Sequence, residues 1–147
     1  MGTWAEGPFD NDDAADWSLE FEDADELSGL RLIEDALNEA AGTGAGGYLQ
    51  CDAGARAVAA AELVAHIASQ PTLESPYNEV ALRWATRVSA HAWPSLAGLA
   101  AQAVTRVTGP GSELAGLWDE AGPSWRTSMT ELEARLRAAE NGTISGA

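Results

Sequence analysis

Apolar residues recur along this chain at spacings of three and four, the pattern of helices that bury one face. Ala14, Trp17 and Phe21 share one face of a first predicted helix, while Asp13, Asp16 and Glu20 share another. Leu27, Leu30, Ile33, Leu37 and Ala40 make the stripe of a second, with Gly42 as its stop signal. The run Gly42-Thr-Gly-Ala-Gly-Gly47 reads as a flexible connector leading to a short Tyr48-Leu49. Asp52 is placed to cap a third helix, whose inner face is Ala57, Ala61, Val64 and Ala68 and whose alanines let neighbours approach closely. Pro71 and Pro76 bracket a loop, after which Tyr77, Val80, Trp84 and Val88 mark a fourth helix that displays Arg83 and Arg87 together.

Pro94 opens a fifth helix carrying Leu96, Leu99, Ala103 and Val107. Gly109-Pro-Gly111 breaks it, and Ser112 to Trp118 form a short sixth. Gly122-Pro123 turns the chain into a last helix with the stripe Trp125, Met129, Leu132, Leu136 and Ala139. On that helix Glu131–Arg135 and Glu133–Arg137 are i,i+4 pairs in the favourable orientation. No alternating run of strand length occurs. The expected fold is therefore all-α, a compact single-domain bundle of about six or seven short helices without significant sheet. The domain is expected over residues 1–141, with 142–147 a disordered tail.

Charge changes this picture more than size does. With 147 residues, one core suffices and neither a disulfide nor a metal is needed for stability. The net charge is −15, from 23 acidic and 8 basic residues, and every basic residue is an arginine. The acid is polarised, because ten carboxylates lie between Glu6 and Glu26 and the first basic residue is Arg31. Such a chain is a poor binder of phosphate backbones or anionic membranes, so neither nucleic acid nor membrane is expected as a partner. A basic protein or a cation stays allowed, and solubility alone is the plainer explanation of the charge. Cys51 is the sole cysteine, which excludes an intramolecular disulfide and fits a reducing compartment. No apolar run approaches the roughly 18 residues of a membrane span, and no basic-then-apolar leader is seen, so the expected location is cytoplasmic. Met1-Gly2 resembles an acylation start, but Glu6 stands where Ser or Thr is wanted.

The N-terminal block is dense in costly residues. Gly7-Pro8 sets a turn, Phe9 precedes Asp10 as an N-cap, and Asp13 is spaced to reach back as in a capping box. Trp4 and Phe9 would pack on the helix they precede, and the carboxylates would favour its positive end. The competing reading is cation binding by Asp10, Asp12, Asp13 and Asp16. A calcium loop wants D-x-[DN]-x-[DN]-G, but Ala14 and Ala15 break the series and no Gly follows. No metal and no cofactor is expected.

Met1-Gly-Thr-Trp4 together with Gly7-Pro-Phe-Asp-Asn-Asp-Asp-Ala-Ala-Asp-Trp17 resembles the start of the bacterial DUF4259 family. The resemblance continues through Ala57-Val-Ala-Ala-Ala-Glu62, Ser112-Glu-Leu-Ala-Gly-Leu-Trp-Asp-Glu120 and Trp125-Arg126, covering nearly the whole chain. One departure is Ala5, where the family usually has a second glycine after the tryptophan. The resemblance implies a helical fold of single-domain extent, and it brings no reaction and no catalytic residues.

The remaining candidates for chemistry are sparse. Glu62 precedes His66 by one helical turn, a spacing for an acid–base or ligand pair, but no third group is apparent and a partly buried hydrogen bond explains the pair. Cys51 lies at a possible helix N-terminus, yet neighbouring Asp52 opposes a thiolate and no base is evident. Trp118-Asp-Glu120 and Trp125-Arg126 flank a turn and are placed to face one cleft, although core packing is the default for tryptophan.

Two functions of different class follow. The leading expectation is a non-enzymatic acidic interaction protein, of immunity or regulatory type, that engages a basic partner. The alternative is a small-molecule binder or small enzyme with a pocket near Trp118 and Trp125. The candidate binding residues are Trp4, Phe9, Asp10, Asn11, Asp12, Asp13, Asp16 and Trp17 in the N-terminal block, with Trp118, Asp119, Trp125 and Arg126 near the later turn. No catalytic residue is assigned, and oligomeric state has no signature in the sequence.

Overall fold

Alanine dominates the middle of the third helix, and that choice sets the architecture. The computed structural model describes residues 12–42, 47–67, 80, 83–85, 93–120 and 124–140. The bounded elements are α1 (Asp12–Leu19), α2 (Glu26–Ala41), α3 (Cys51–Ile67), α4 (Trp93–Val107), α5 (Glu113–Asp119) and α6 (Ser124–Glu140). Residues 80 and 83–85, which include Trp84, are helical as well. The all-α expectation holds, and the one β element among the described residues is an isolated parallel bridge between Leu49 and Ser112.

The helix α3 packs on α1, α2, α4, α5 and α6. Surrounded in this way, it has no outward face along its middle. Ala57 through Ala61 and Leu63 through Ala65 are all buried, and so is Glu62 between them. The sequence pattern suggested one inner face, but a helix that is apolar all round belongs inside a core. Its small side chains let the backbones of the neighbours come close. Around it, α4 buries Leu96, Ala97, Ala100, Ala101, Ala103, Val104 and Val107, and α6 buries Trp125, Met129, Leu132 and Leu136. These two helices also pack on each other.

α2 has a single buried stripe of Gly29, Ile33, Ala36, Leu37 and Ala40. Leu27 was expected in this stripe, and it is instead 66% exposed. Two residues along a helix turn the side chain by about 200°, so the face that buries Gly29 turns Leu27 outward. Asp25 caps the helix in an extended conformation, its Oδ1 accepting the Ser28 amide at 2.7 Å. Gly42 ends it as expected, its amide donating to the Asn38 carbonyl at 2.8 Å.

The start of α3 corrects a second expectation. The helix begins at Cys51, one residue before the expected cap, and Asp52 accepts the amide of Ala53 at 2.7 Å. The Cys51 amide donates to Glu113 Oε1 at 2.8 Å, from 62 residues further on. Two backbone bonds beside it join Leu49 to Gly111 and Glu113, at 2.8 and 2.9 Å. Arg106 closes the junction by donating to the carbonyls of Gly47 at 2.9 Å and Pro110 at 3.0 Å. The end of the glycine-rich connector is thus clamped rather than loose. Gly111 sits at φ 79°, and a Cβ there would meet the Gly47 carbonyl oxygen at 2.7 Å.

Among the described residues, no helix is long and apolar enough to cross a membrane.

Candidate functional site

The segment from α1 into α2 concentrates the exposed acid. Asp16, Glu20, Glu22, Asp23, Asp25, Glu26, Glu34 and Asp35 are all exposed, and Arg31 is the one basic residue among them. The ion pairs between described side chains lie elsewhere. Arg56 pairs with Glu39 and Asp52, Arg126 with Asp119, Arg135 with Glu62 and Arg137 with Glu133. Among the described side chains, the segment therefore meets solvent with most of its charge outside any ion pair.

Local packing fixes the shape of this acidic surface. After Leu19 the chain tightens into successive i to i−3 bonds, from Glu20 to Trp17, Phe21 to Ser18, Glu22 to Leu19 and Ala24 to Phe21. The tighter winding carries Phe21 into the core. There its ring meets Trp17 edge-on at 4.9 Å and 78°, and Trp84 at 4.9 Å and 54°. The Trp84 Nε1–H donates to the Asp25 carbonyl at 3.0 Å, which ties the turn to the core just before α2 begins. The Ser28 amide, and after it the Ser28 hydroxyl, hold the Asp25 carboxyl below its ordinary range. Asp25 is thereby committed to capping.

Beside this turn runs an open groove of about 640 Å³. Glu20, Asp23 and Ala24 line it from the turn, and Leu27, Ser28, Arg31, Leu32 and Asp35 line it from α2. Its apolar lining is Ala24, Leu27 and half-buried Leu32, and its charged lining is three carboxylates against one guanidinium.

Of the candidate residues in the N-terminal block, Trp4, Phe9, Asp10 and Asn11 lie outside the described residues. Asp12 and Asp13 open the backbone of α1. Asp16 is exposed and Trp17 is buried in the core, on the helical face it was expected to share with Phe21. Ser18 beside it is buried, and its hydroxyl has no hydrogen-bond partner among the described residues.

The second candidate cluster is held together by its own charges. Arg126 donates to both Asp119 oxygens, at 2.7 and 3.0 Å, and to the Thr108 carbonyl at 2.8 Å. That bond lowers the Asp119 pKa and raises that of Arg126. Trp125 lies inside the core and Trp118 packs half-buried against it. Glu62 is taken by the Arg135 guanidinium at 3.0 and 3.2 Å, while the His66 side chain lies outside the described residues. Among the described residues, no group of three or more His, Cys, Asp and Glu converges as metal ligands do.

The groove residues Ala24, Leu27, Ser28, Arg31, Leu32 and Asp35 were not among the candidate binding residues, and Leu27 was assigned to the inner stripe. Their signal was the offset between Gly29 and Leu27, which cannot both face inward.

The family model described as "Domain of unknown function (DUF4259)" matches residues 2–128. Neither a curated protein nor a solved structure matches the chain.

Proposed function

The chain belongs to the DUF4259 family, and we propose that this member is a non-enzymatic acidic interaction protein, of immunity or regulatory type, that engages a basic partner. One observation carries the reading: between Asp16 and Asp35 eight exposed carboxylates accompany a single arginine, outside the ion pairs between described side chains. Such a surface speeds encounter with a positively charged protein and selects against acidic ones. The core beneath it keeps it in place, since Trp17 and Phe21 anchor the acidic turn without using any of its carboxylates. A cytoplasmic setting belongs to the same proposal.

The alternative, a small-molecule site framed by Trp118 and Trp125, has less support. The Trp125 ring is spent on the core, and the polar groups beside it are spent on each other.

The test is co-purification with the full chain as bait at low salt, followed by identification of what is retained. A basic protein retained at about 50 mM salt and released at about 500 mM is the expected result, because screening shortens the reach of exposed charges. The variant Glu20→Gln/Glu22→Gln/Asp23→Asn should lose that protein while melting no lower than the parent. Retention that ignores both salt and the variant would refute the reading.

A further inference from the structure

We propose that the groove beside the α1–α2 turn receives a basic amphipathic helix of the partner protein, with its apolar face on Leu27 and Leu32 and its arginines or lysines on Glu20, Asp23 and Asp35. This rests on the acidic interaction reading and names where and what it binds.

Three observations point to that occupant. Leu27 is 66% exposed on the first turn of α2, and Leu32 and Ala24 line the same groove. A lone exposed leucine needs no explanation, but apolar residues sharing a groove with charged ones have the form of an interaction site. The space, about 640 Å³ and open to solvent, suits several side chains of a laid-down helix better than one enclosed small molecule. The charged lining then chooses the sign of the partner. Three carboxylates face one guanidinium around the groove, and Asp16, Glu22, Glu26 and Glu34 add to the same field nearby. An acidic or neutral apolar helix would bury its face at the cost of bringing like charges together or stripping water from carboxylates left unpaired. A helix with leucines on one side and arginines flanking them satisfies both the apolar and the charged lining.

The full-length protein would be titrated with two labelled peptides of about 18 residues and identical Leu/Arg/Ala composition. In one the leucines share a helical face, and in the other they are scattered. Anisotropy gives affinity, and amide chemical shifts give location. The amphipathic peptide should bind at least about tenfold tighter than its isomer, with shifts concentrated in residues 20–35. Leu27→Asp should weaken it about tenfold. That variant adds a carboxylate, so pure charge attraction would strengthen binding, and only loss of the apolar contact explains a weakening. Leu27 is exposed and Asp is favourable in a first helical turn, so the variant should fold. The triple variant Glu20→Gln/Asp23→Asn/Asp35→Asn should also weaken binding. If both peptides bind alike, Leu27→Asp has no weakening effect, and the triple variant weakens both, the groove assignment fails while the acidic reading stands. If neither peptide binds at low salt, both fail. Shifts centred outside residues 20–35 overturn the groove assignment alone.

Discussion

At Gly29 a hydrogen is the largest side chain that the packing allows, because a Cβ there would fall within the indole ring of Trp84. Trp84 cannot yield easily, since its Nε1–H is bonded to Asp25 and its ring is packed on Phe21. Gly29→Ala should therefore destabilise by about 1–3 kcal/mol, despite the gain in helix propensity. Gly116 on α5 provides the control. It has open space where a Cβ would go, and Gly116→Ala should stabilise by about 0.5–1 kcal/mol. Urea midpoints compare the two, and equal effects of like sign would contradict the packing argument. Glu62 presents the other residue-scale case. Its side chain is buried and its carboxylate accepts from both terminal nitrogens of the half-buried Arg135 fork. Arg135→Met should cost about 3 kcal/mol by taking the guanidinium fork from a buried carboxylate, while adding Glu62→Met should recover most of the loss. A double variant no more stable than the single would show that the pair contributes more than mutual neutralisation.

Helix ends decide how the elements sit, and their caps respond to different perturbations. Asp25 caps α2 with a carboxyl whose pKa lies below the ordinary 3.8, chiefly because it accepts the Ser28 amide. A folded-state pKa that is depressed gives stability that is complete above the unfolded value and is lost as pH falls through the folded one. The first turn of α2 should thus hold down to about pH 4 and loosen below it, which amide exchange at Ser28 and Gly29 would read. Asp25→Asn, still able to cap, should flatten that acid response. α3 depends instead on Glu113, whose carboxylate accepts the Cys51 amide across 62 residues of sequence. Glu113→Ala should cost about 1 kcal/mol and speed exchange at Cys51 to Gly54, leaving α2 untouched. The difference between these caps explains what was legible in the sequence. The Asp25–Ser28 cap is local, three residues apart, yet it was not among the expected caps, whereas the stripes of α2 beyond Leu27 and of α6 follow from helical period alone. The cap from Glu113, the clamp of Arg106 on Gly47 and the all-round burial of α3 are long-range consequences that no local window contains. The acidic surface was legible as composition. Its groove was not, because Leu27 joins the inner stripe in spacing and leaves it only once Gly29 has met Trp84.

For the molecule as a whole, a net charge of −15 puts two effects of salt in opposition. Added salt weakens the attractive pairs of Arg56, Arg126 and Arg137, which are exposed enough that each contributes little. It also screens repulsion among the carboxylates between Asp16 and Asp35, which have one arginine between them. Repulsion involves more charges, none of them in an ion pair among the described side chains, so it should dominate, and the melting temperature should rise as salt increases from about 20 to about 500 mM. Over the same range, binding of a basic partner should weaken, because attraction across the interface is screened by the same ions. One titration therefore predicts opposite signs for stability and affinity. The variant Glu20→Gln/Glu22→Gln/Asp23→Asn sharpens the test: it should melt higher than the parent at low salt, respond less to added salt, and bind the basic partner less tightly. A parent melting temperature that falls with salt would mean the arginine pairs outweigh the acidic repulsion. The exposed acid would then be balanced within the fold and not held in reserve for a partner.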